Sequence, residues 1–309
     1  MKAFIFPGQG CQKEGMGKDL YDNFPKAKEL FEQANELLGR RISDVMFYGT
    51  EEELMETKNT QPAVFIYEVI LALTQNEVKP DIVAGHSLGE FAALVVNGTL
   101  SFEDGLNLVL NRALIAQKVC ELHDTAMGAV VGLSDDYVAK RINEIFEEFG
   151  EPIYFANYNG PGQVVITGSR KGVRLACKAF KAEGAKKAVP LAISGSFHSP
   201  YMEEAKIELG KIIEQTKFNT PKIPICQCVD ALIHTNPDTI KKNLIAHITH
   251  PVLWTTMVEN MEKWNVLEYY EAGTDDTLQK IVARMCPDKK IISLLDIKTY
   301  NRIVKKYSL

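Results

Sequence analysis

No apolar run in this chain approaches the roughly 18 residues that a membrane-spanning helix requires. The opening Met1-Lys2-Ala3-Phe4-Ile5-Phe6-Pro7 has too short an apolar run for a secretory signal and reads as a first core strand. A cytoplasmic protein with no membrane partner is therefore expected. Cysteine is sparse. Six stand at positions 11, 120, 177, 226, 228 and 286, none in a C-x-x-C, which predicts free thiols in a reducing compartment. No cysteine or histidine pair has finger-like spacing, so no metal is expected. Positive charge is not in excess: 35 Lys and Arg against 40 Asp and Glu give a formal net charge of −5, which excludes a molecule built as a whole for nucleic acid. Internal repeats, low-complexity tracts and long linkers are lacking too. What is present is an ordinary globular composition, 46% hydrophobic and 24% charged over 309 residues. That suffices for two domains, or for one large α/β domain with an insertion.

The organising stretch is Gly85-His86-Ser87-Leu88-Gly89, a G-x-S-x-G pattern. Asp81-Ile82-Val83-Ala84 before it reads as a short buried strand, and 90–96 after it has helical composition. Strand, tight turn and helix is the context in which this pattern makes a nucleophile elbow. The glycines let strand and helix crowd together and hold the serine hydroxyl out at the strand tip. The helix N-terminus then aims free N–H groups at any oxyanion formed there. A Gly-rich turn with an ordinary serine is the bland alternative, and the flanks argue against it.

Residues 3–6 run into Pro7-Gly8-Gln9-Gly10. Lys13 stands where G-x-G-x-x-G needs its third glycine, so the segment reads as a ligand-facing loop at a strand end and not as a dinucleotide loop. Helices are expected at 24–38 and 51–56, and a buried one follows Gln61, with Pro62 in its first turn. Ser101 caps a helix over 102–120, in which Arg112 stands among Leu108, Val109, Leu110, Leu114 and Ile115. Snorkelling to the surface and service as a buried cation are both open for it. From 125 to 192 the pattern is β-α-β-β-α-β, the ferredoxin-like unit: strands at 126–131, 152–157, 163–168 and 186–192, helices at 135–149 and 170–183, and a loop from Asn157 to Gly162. The second of these helices carries Lys171, Arg174, Lys178 and Lys181 on one face. With Arg170, Lys186 and Lys187 they make a basic patch, read either as a docking surface or as a solvated face. Later come a helix at 200–215, a strand at 223–229, helices at 238–247 and 254–261, a strand at 266–271 and a helix at 276–285. The basic tail from about 298 is expected to be loosely held.

An elbow serine needs a base. Of the six histidines, His86 adjoins the serine and is aimed away from its hydroxyl by the backbone, which leaves it a supporting part. His123, His234, His247 and His250 lie in connections, turns or helix ends. His198, in Gly195-Ser196-Phe197-His198-Ser199, sits in a loop after a strand, as a base of α/β-hydrolase topology would. No acidic partner for it emerges from spacing; a backbone carbonyl or amide can orient the ring instead.

Phe6-Pro7-Gly8-Gln9-Gly10, Gln61-Pro62-Ala63, residues 85–90, Asn111-Arg112, residues 157–168, Gly195 to Ser199, Pro251-Val252-Leu253-Trp254 and Glu271-Ala272-Gly273 occur in this order. Over about residues 3–285 the chain thereby resembles the malonyl-CoA:acyl carrier protein transacylases of bacterial type II fatty acid synthesis. The fold expected is an α/β-hydrolase-like core with a short mostly parallel sheet, over 1–124 and 193–309, with an inserted ferredoxin-like subdomain over 125–192. The resemblance implies that Ser87 holds malonate as an ester and that His198 is base and then acid. The backbone N–H groups of Gln9 and Leu88 would form the oxyanion hole. Arg112 would bind the malonyl carboxylate through its planar fork, with Gln61, Phe197, Asn157 and His86 around the substrate. The partners implied are malonyl-CoA and acyl carrier protein, whose own phosphopantetheine supplies the thiol, so no cofactor is expected. The protein would act as a monomer. Acyl carrier proteins are acidic as a family, which makes Lys178, Lys181, Lys186 and Lys187 the docking candidates.

Two departures from the family pattern stand out. His247 replaces the common glutamine whose backbone carbonyl orients the catalytic histidine, a task that survives a side-chain change. Gly273-Thr274-Asp275-Asp276 replaces glycine-proline-glycine-lysine, and the change is expected to be confined to a surface turn. The competing readings are an acyl hydrolase, a trans-acting acyltransferase of a polyketide pathway, and a non-catalytic carrier-binding protein. Arg112 speaks against the plain hydrolase, because a buried cation without a carboxylate partner is costly.

Overall fold

The computed structural model describes residues 1–192 and 195–296. The basic tail lies outside the described residues. The chain opens with β1 (Lys2–Phe6) and a helical run, α1 (Lys18–Asn23), α2 (Pro25–Leu37), α3 (Ile42–Tyr48), α4 (Glu51–Met55) and α5 (Thr57–Thr74). Next come β2 (Ile82–Gly85), α6 (Gly89–Val96) and α7 (Phe102–Leu122). A middle section follows: β3 (Thr125–Val131), α8 (Asp135–Phe149), β4 (Ile153–Gly160), β5 (Gln163–Ser169), α9 (Arg170–Ala182) and β6 (Lys187–Pro190). The last section begins with a 3-10 turn at Pro200–Met202, then α10 (Glu203–Gln215), β7 (Ile225–Cys226), β8 (Ile233–His234) and α11 (Pro237–Ala246). A second 3-10 turn at His247–Thr249, α12 (Trp254–Lys263), β9 (Glu268–Glu271), α13 (Thr277–Met285) and β10 (Lys290–Ser293) complete it.

Six strands form one sheet in the order β10-β9-β1-β2-β7-β8, parallel except for β8. Side chains alternate across it as strand geometry requires. Phe4, Phe6 and Val83 join Phe31, Phe65, Phe91 and Leu108 on one face. Ala3, Ile5, Ile82 and Ala84 join Met257, Val258 and Ile281 on the other. The sheet is thus buried on both sides, as parallel sheets are. The β1–β2 register sets Phe6 opposite Gly85, so the loops leaving the two strands emerge side by side.

The middle section makes a second, antiparallel sheet, β4-β5-β3-β6. Val138 and Ile142 of α8 and Val173 and Phe180 of α9 cover one face. The other face, with Met127, Ala156 and Val165, packs against Ala116 and Val119 of α7, Ala205 of α10, Phe197 and Ile248. The seam between the small sheet and helices α7 and α10 therefore includes Phe197 of the 195–199 loop. Among the described residues no helix is long and apolar enough to cross a membrane.

Several expectations need correction. Pro62 is not in a first helical turn but inside α5, which begins at Thr57. Its missing N–H frees the Lys58 carbonyl, and Arg40 Nη2 donates to that carbonyl at 2.9 Å, which replaces the lost hydrogen bond. The 223–229 strand shrinks to Ile225–Cys226. Asn157 to Gly160 belongs to β4, not to a loop, and β4 has register shifts on either side of Asn157 and Tyr158. The helices α1 and α3 and the strands β8 and β10 were not foreseen.

Candidate active site

The elbow forms because its glycines leave no room for anything else. A Cβ on Gly85 would lie 2.1 Å from the Glu90 nitrogen, and one on Gly89 would lie 2.1 Å from the Phe6 carbonyl oxygen. Ser87 between them is held at φ 51°, a left-handed conformation that a non-glycine residue adopts only when its surroundings dictate it. Leu88 follows at the mouth of α6, where N–H groups lack intrahelical acceptors. Gly8, on the neighbouring loop, sits at φ 76°, where a Cβ would lie 2.6 Å from the His86 oxygen. The loop carrying Gln9 is therefore pressed onto the elbow.

His198 reaches the serine from across the seam. It too has positive φ, 61°, and its N–H donates to the Ile248 carbonyl at 2.9 Å. Beneath it the hydroxyls of Thr167, Ser196 and Ser199 are linked at 2.7 and 2.9 Å. Ser87 Oγ lies 2.7 Å from His198 Nε2. His198 Nδ1 faces two carbonyl oxygens, of His247 at 3.1 Å and His250 at 2.9 Å. Carbonyls only accept, so Nδ1 carries the proton and Nε2 is bare to accept from the serine. Burial and the nearby Arg112 guanidinium push His198 down to about 3, so the ring is neutral at ordinary pH.

Arg112 does not snorkel. It is 1% exposed on α7, with Nη1 donating to Gln61 Oε1 at 2.6 Å and Nη2 to Ser87 Oγ at 3.3 Å. Its guanidinium lies over Phe197 and Phe91, 5.3 and 5.9 Å from the ring centroids. No acidic side chain pairs with it among the described residues, and its Nε and Gln61 Nε2 lack hydrogen-bond partners. Burial pushes Arg112 down to about 10, which still leaves it charged.

The other expected residues are placed as follows. His86 Nε2 meets Asn159 Oδ1 at 2.7 Å, and the ring tilts against Trp254. Asn157 is buried on β4, bridged to Val252. His247 is buried, its ring edge-on to His198 with centroids 5.3 Å apart. Neither of its ring nitrogens has a partner, and burial holds it well below the ordinary range. Gln9 and Phe197 line a cleft of about 330 Å³ together with Met55, Gln117, Cys120 and Arg170. Lys178, Lys181, Lys186 and Lys187 are exposed along α9 and the start of β6. The 273–276 turn is not confined to the surface: Gly273 is buried against Pro7, and Thr274 Oγ1 donates to the Cys11 carbonyl.

Sequence reasoning missed the His250 carbonyl, Asn159, and Arg170 as a lining residue of the cleft, where it pairs with Asp124 at 2.5 Å. It also missed Glu68, whose Oε1 accepts the Gly8 N–H at 2.7 Å. A lone acid in the apolar run 63–73 was the available signal. Among the described residues one set of metal-ligand types converges: single ligand atoms of Glu90, Cys228 and His247 lie within 4.8 Å of one another. The Glu90 carboxylate there already accepts from Gln227 Nε2 and the Cys228 N–H.

Residues 3–284 match the acyl transferase domain family. The chain is 36% identical over 299 residues to the malonyl CoA-acyl carrier protein transacylase of Bacillus subtilis (strain 168), covering 96% of this chain and 94% of that one. Its fold matches the solved transacylase of the same description from Coxiella burnetii with a TM-score of 0.92, at 32% identity, over 98% and 96% of the two chains. It also matches a malonyl-transacylase solved in complex with its type II PKS acyl-carrier protein, with a TM-score of 0.90, at 32% identity, over 96% and 98%.

Proposed function

This chain belongs to the malonyl-CoA:acyl carrier protein transacylases of the acyl transferase domain family, and we propose that it moves the malonyl group through an ester on Ser87. It supplies malonyl-loaded carrier protein for fatty acid elongation. The observation that carries the ester route is the convergence on one hydroxyl of a neutral histidine and a buried, carboxylate-free guanidinium.

Ser87 Oγ attacks the thioester carbonyl while its proton passes to His198 Nε2. The N–H groups of Leu88 and Gln9 receive the developing oxyanion. The C–S bond then breaks, and His198 returns the proton to the departing CoA sulfur. Malonate remains on Ser87, its free carboxylate paired with Arg112. The pantetheine thiol of the carrier next gives its proton to His198 and attacks the ester. The Ser87 oxygen leaves, regaining that proton, in a two-stage exchange. The carbonyls of His247 and His250 keep the ring oriented throughout. A plain hydrolase has no use for Arg112, since charge buried without a partner is costly.

The frame of this site is read as an α/β-hydrolase-like core, 1–124 and 193–309, with a ferredoxin-like insertion over 125–192. The elbow between β2 and α6 supports the first. The strand order β4-β5-β3-β6 with α8 and α9 on one face supports the second. The test is intact-protein mass spectrometry after mixing with malonyl-CoA. One malonyl unit should add to the wild type, be lost on adding holo carrier protein, and never appear on Ser87→Ala. An unmodified wild type with transfer activity would refute the ester route.

A further inference from the structure

Glu68 takes no part in the chemistry above, yet it touches the loop that the chemistry depends on. It follows Gln61 by seven residues on α5, two helical turns, so both project from one face of that helix. Gln61 meets Arg112, and Glu68 meets the loop leaving β1, where Gly8 N–H donates to Glu68 Oε1 at 2.7 Å. Glu68 is 0% exposed and its Oε2 has no partner. Gly8 has no slack on the elbow side, since a Cβ there would lie 2.6 Å from the His86 oxygen and 2.9 Å from the Gly89 nitrogen. A buried N–H must find an acceptor, and α5 supplies one from a helix that already braces the arginine.

We infer that Glu68 is a positioning residue for malonyl transfer: by accepting the Gly8 N–H it sets the loop that presents the neighbouring Gln9 N–H to the oxyanion. This rests on the transferase reading of the site. Glu68 is faced by Glu271 at the end of β9, Asp275 in the turn beyond, Cys11 further along its own target loop, and Tyr67 beside it on α5. Burial and the acidic neighbours hold the Glu68 carboxyl well above the ordinary carboxylate range. In that neutral form it accepts the N–H without setting a negative charge behind the oxyanion. Once ionised it would oppose the charge that the loop exists to stabilise.

The test is steady-state transfer from malonyl-CoA to purified holo carrier protein by Glu68→Leu and Glu68→Gln. Leucine fills the space but accepts nothing; glutamine keeps an acceptor oxygen and cannot ionise. Glu68→Leu should lower kcat about 10- to 100-fold with the KM for malonyl-CoA within about twofold, and Glu68→Gln should recover kcat to within about threefold of wild type. As the pH is raised the wild type should lose rate as Glu68 ionises, while Glu68→Gln keeps it, a comparison that stands even if Glu68→Leu does not fold. Unchanged kcat in a folded Glu68→Leu, or the same alkaline decline in wild type and Glu68→Gln, would overturn the inference. Failure of the transferase reading would look different, because the wild type itself would then form no malonyl adduct.

Discussion

Replacing Arg112 with methionine separates its two possible duties, because the structure sets their magnitudes apart. Arg112 is almost fully buried, and burial pushes it down to about 10. That fall is a cost of about 3 kcal/mol carried by the folded protein, at about 1.4 kcal/mol per pH unit. Against it stand the hydrogen bonds to Gln61 and Ser87 and two ring contacts. Leaving the Gln61 oxygen unpaired costs about 1–3 kcal/mol. Methionine fills most of the volume and needs no solvation, as apolar replacements of buried ions generally do. The terms nearly cancel, so the melting temperature of Arg112→Met should move only a few degrees.

Malonyl transfer should respond very differently. A guanidinium gripping a carboxylate through two charge-assisted hydrogen bonds contributes about 3–6 kcal/mol. Losing it lowers kcat/KM for malonyl-CoA by about 10²- to 10⁴-fold, at a factor of ten per 1.4 kcal/mol. Acetyl-CoA has no such carboxylate, and its slower transfer should change by less than about tenfold. The assay is initial-rate transfer of each acyl group to holo carrier protein at subsaturating thioester. Equal losses for malonyl and acetyl, or a melting temperature that collapses, would mean that Arg112 only props up the pocket.

His247→Gln should gain thermal stability relative to wild type as pH falls from 7 to 5. The buried imidazole is held below its ordinary 6.5, so the unfolded chain binds the extra proton and stability drains away as pH drops through that value. Parallel melting curves against pH would contradict this. Glu substitution at both Lys178 and Lys181 should raise the KM for carrier protein about tenfold, with a weaker salt dependence, while the Ser87 loading rate with malonyl-CoA stays unchanged. An unaltered carrier KM would mean that this face is merely solvated.

The elbow was legible because its physics is local. Gly85 and Gly89 are demanded by contacts within a few residues and the adjacent strand, and the same holds for Ser101, which caps α7. Elements that exist only through pairing were not legible: β8 is two residues long and needs β7, and β10 needs β9. Arg112 was ambiguous because helical spacing does not say which neighbour covers a face. The His250 carbonyl was invisible for a deeper reason. Every residue has a carbonyl, and only the 3-10 turn at His247–Thr249 aims two of them at one ring nitrogen.

The two reacting residues share a property that the motif alone does not explain. Ser87 and His198 are both non-glycine residues at positive φ, 51° and 61°, one on each side of the seam. Each such conformation costs on the order of 1–3 kcal/mol, and persists only where the surroundings over-determine it. At Ser87 the surroundings are Gly85 and Gly89, with no space for a Cβ. At His198 they are the Ile248 carbonyl on its N–H, the Thr167–Ser196–Ser199 hydroxyl chain, and Gly195, where a Cβ would lie 2.0 Å from Cys120 Sγ. The constraints on the two residues come from different sections of the chain. A substitution at Gly195 should therefore displace His198 and leave the elbow intact. The 2.7 Å contact between serine and base is accordingly a property of how the small sheet docks on α7 and α10, which makes the seam at Met127, Val165 and Phe197 as important to transfer as the elbow itself.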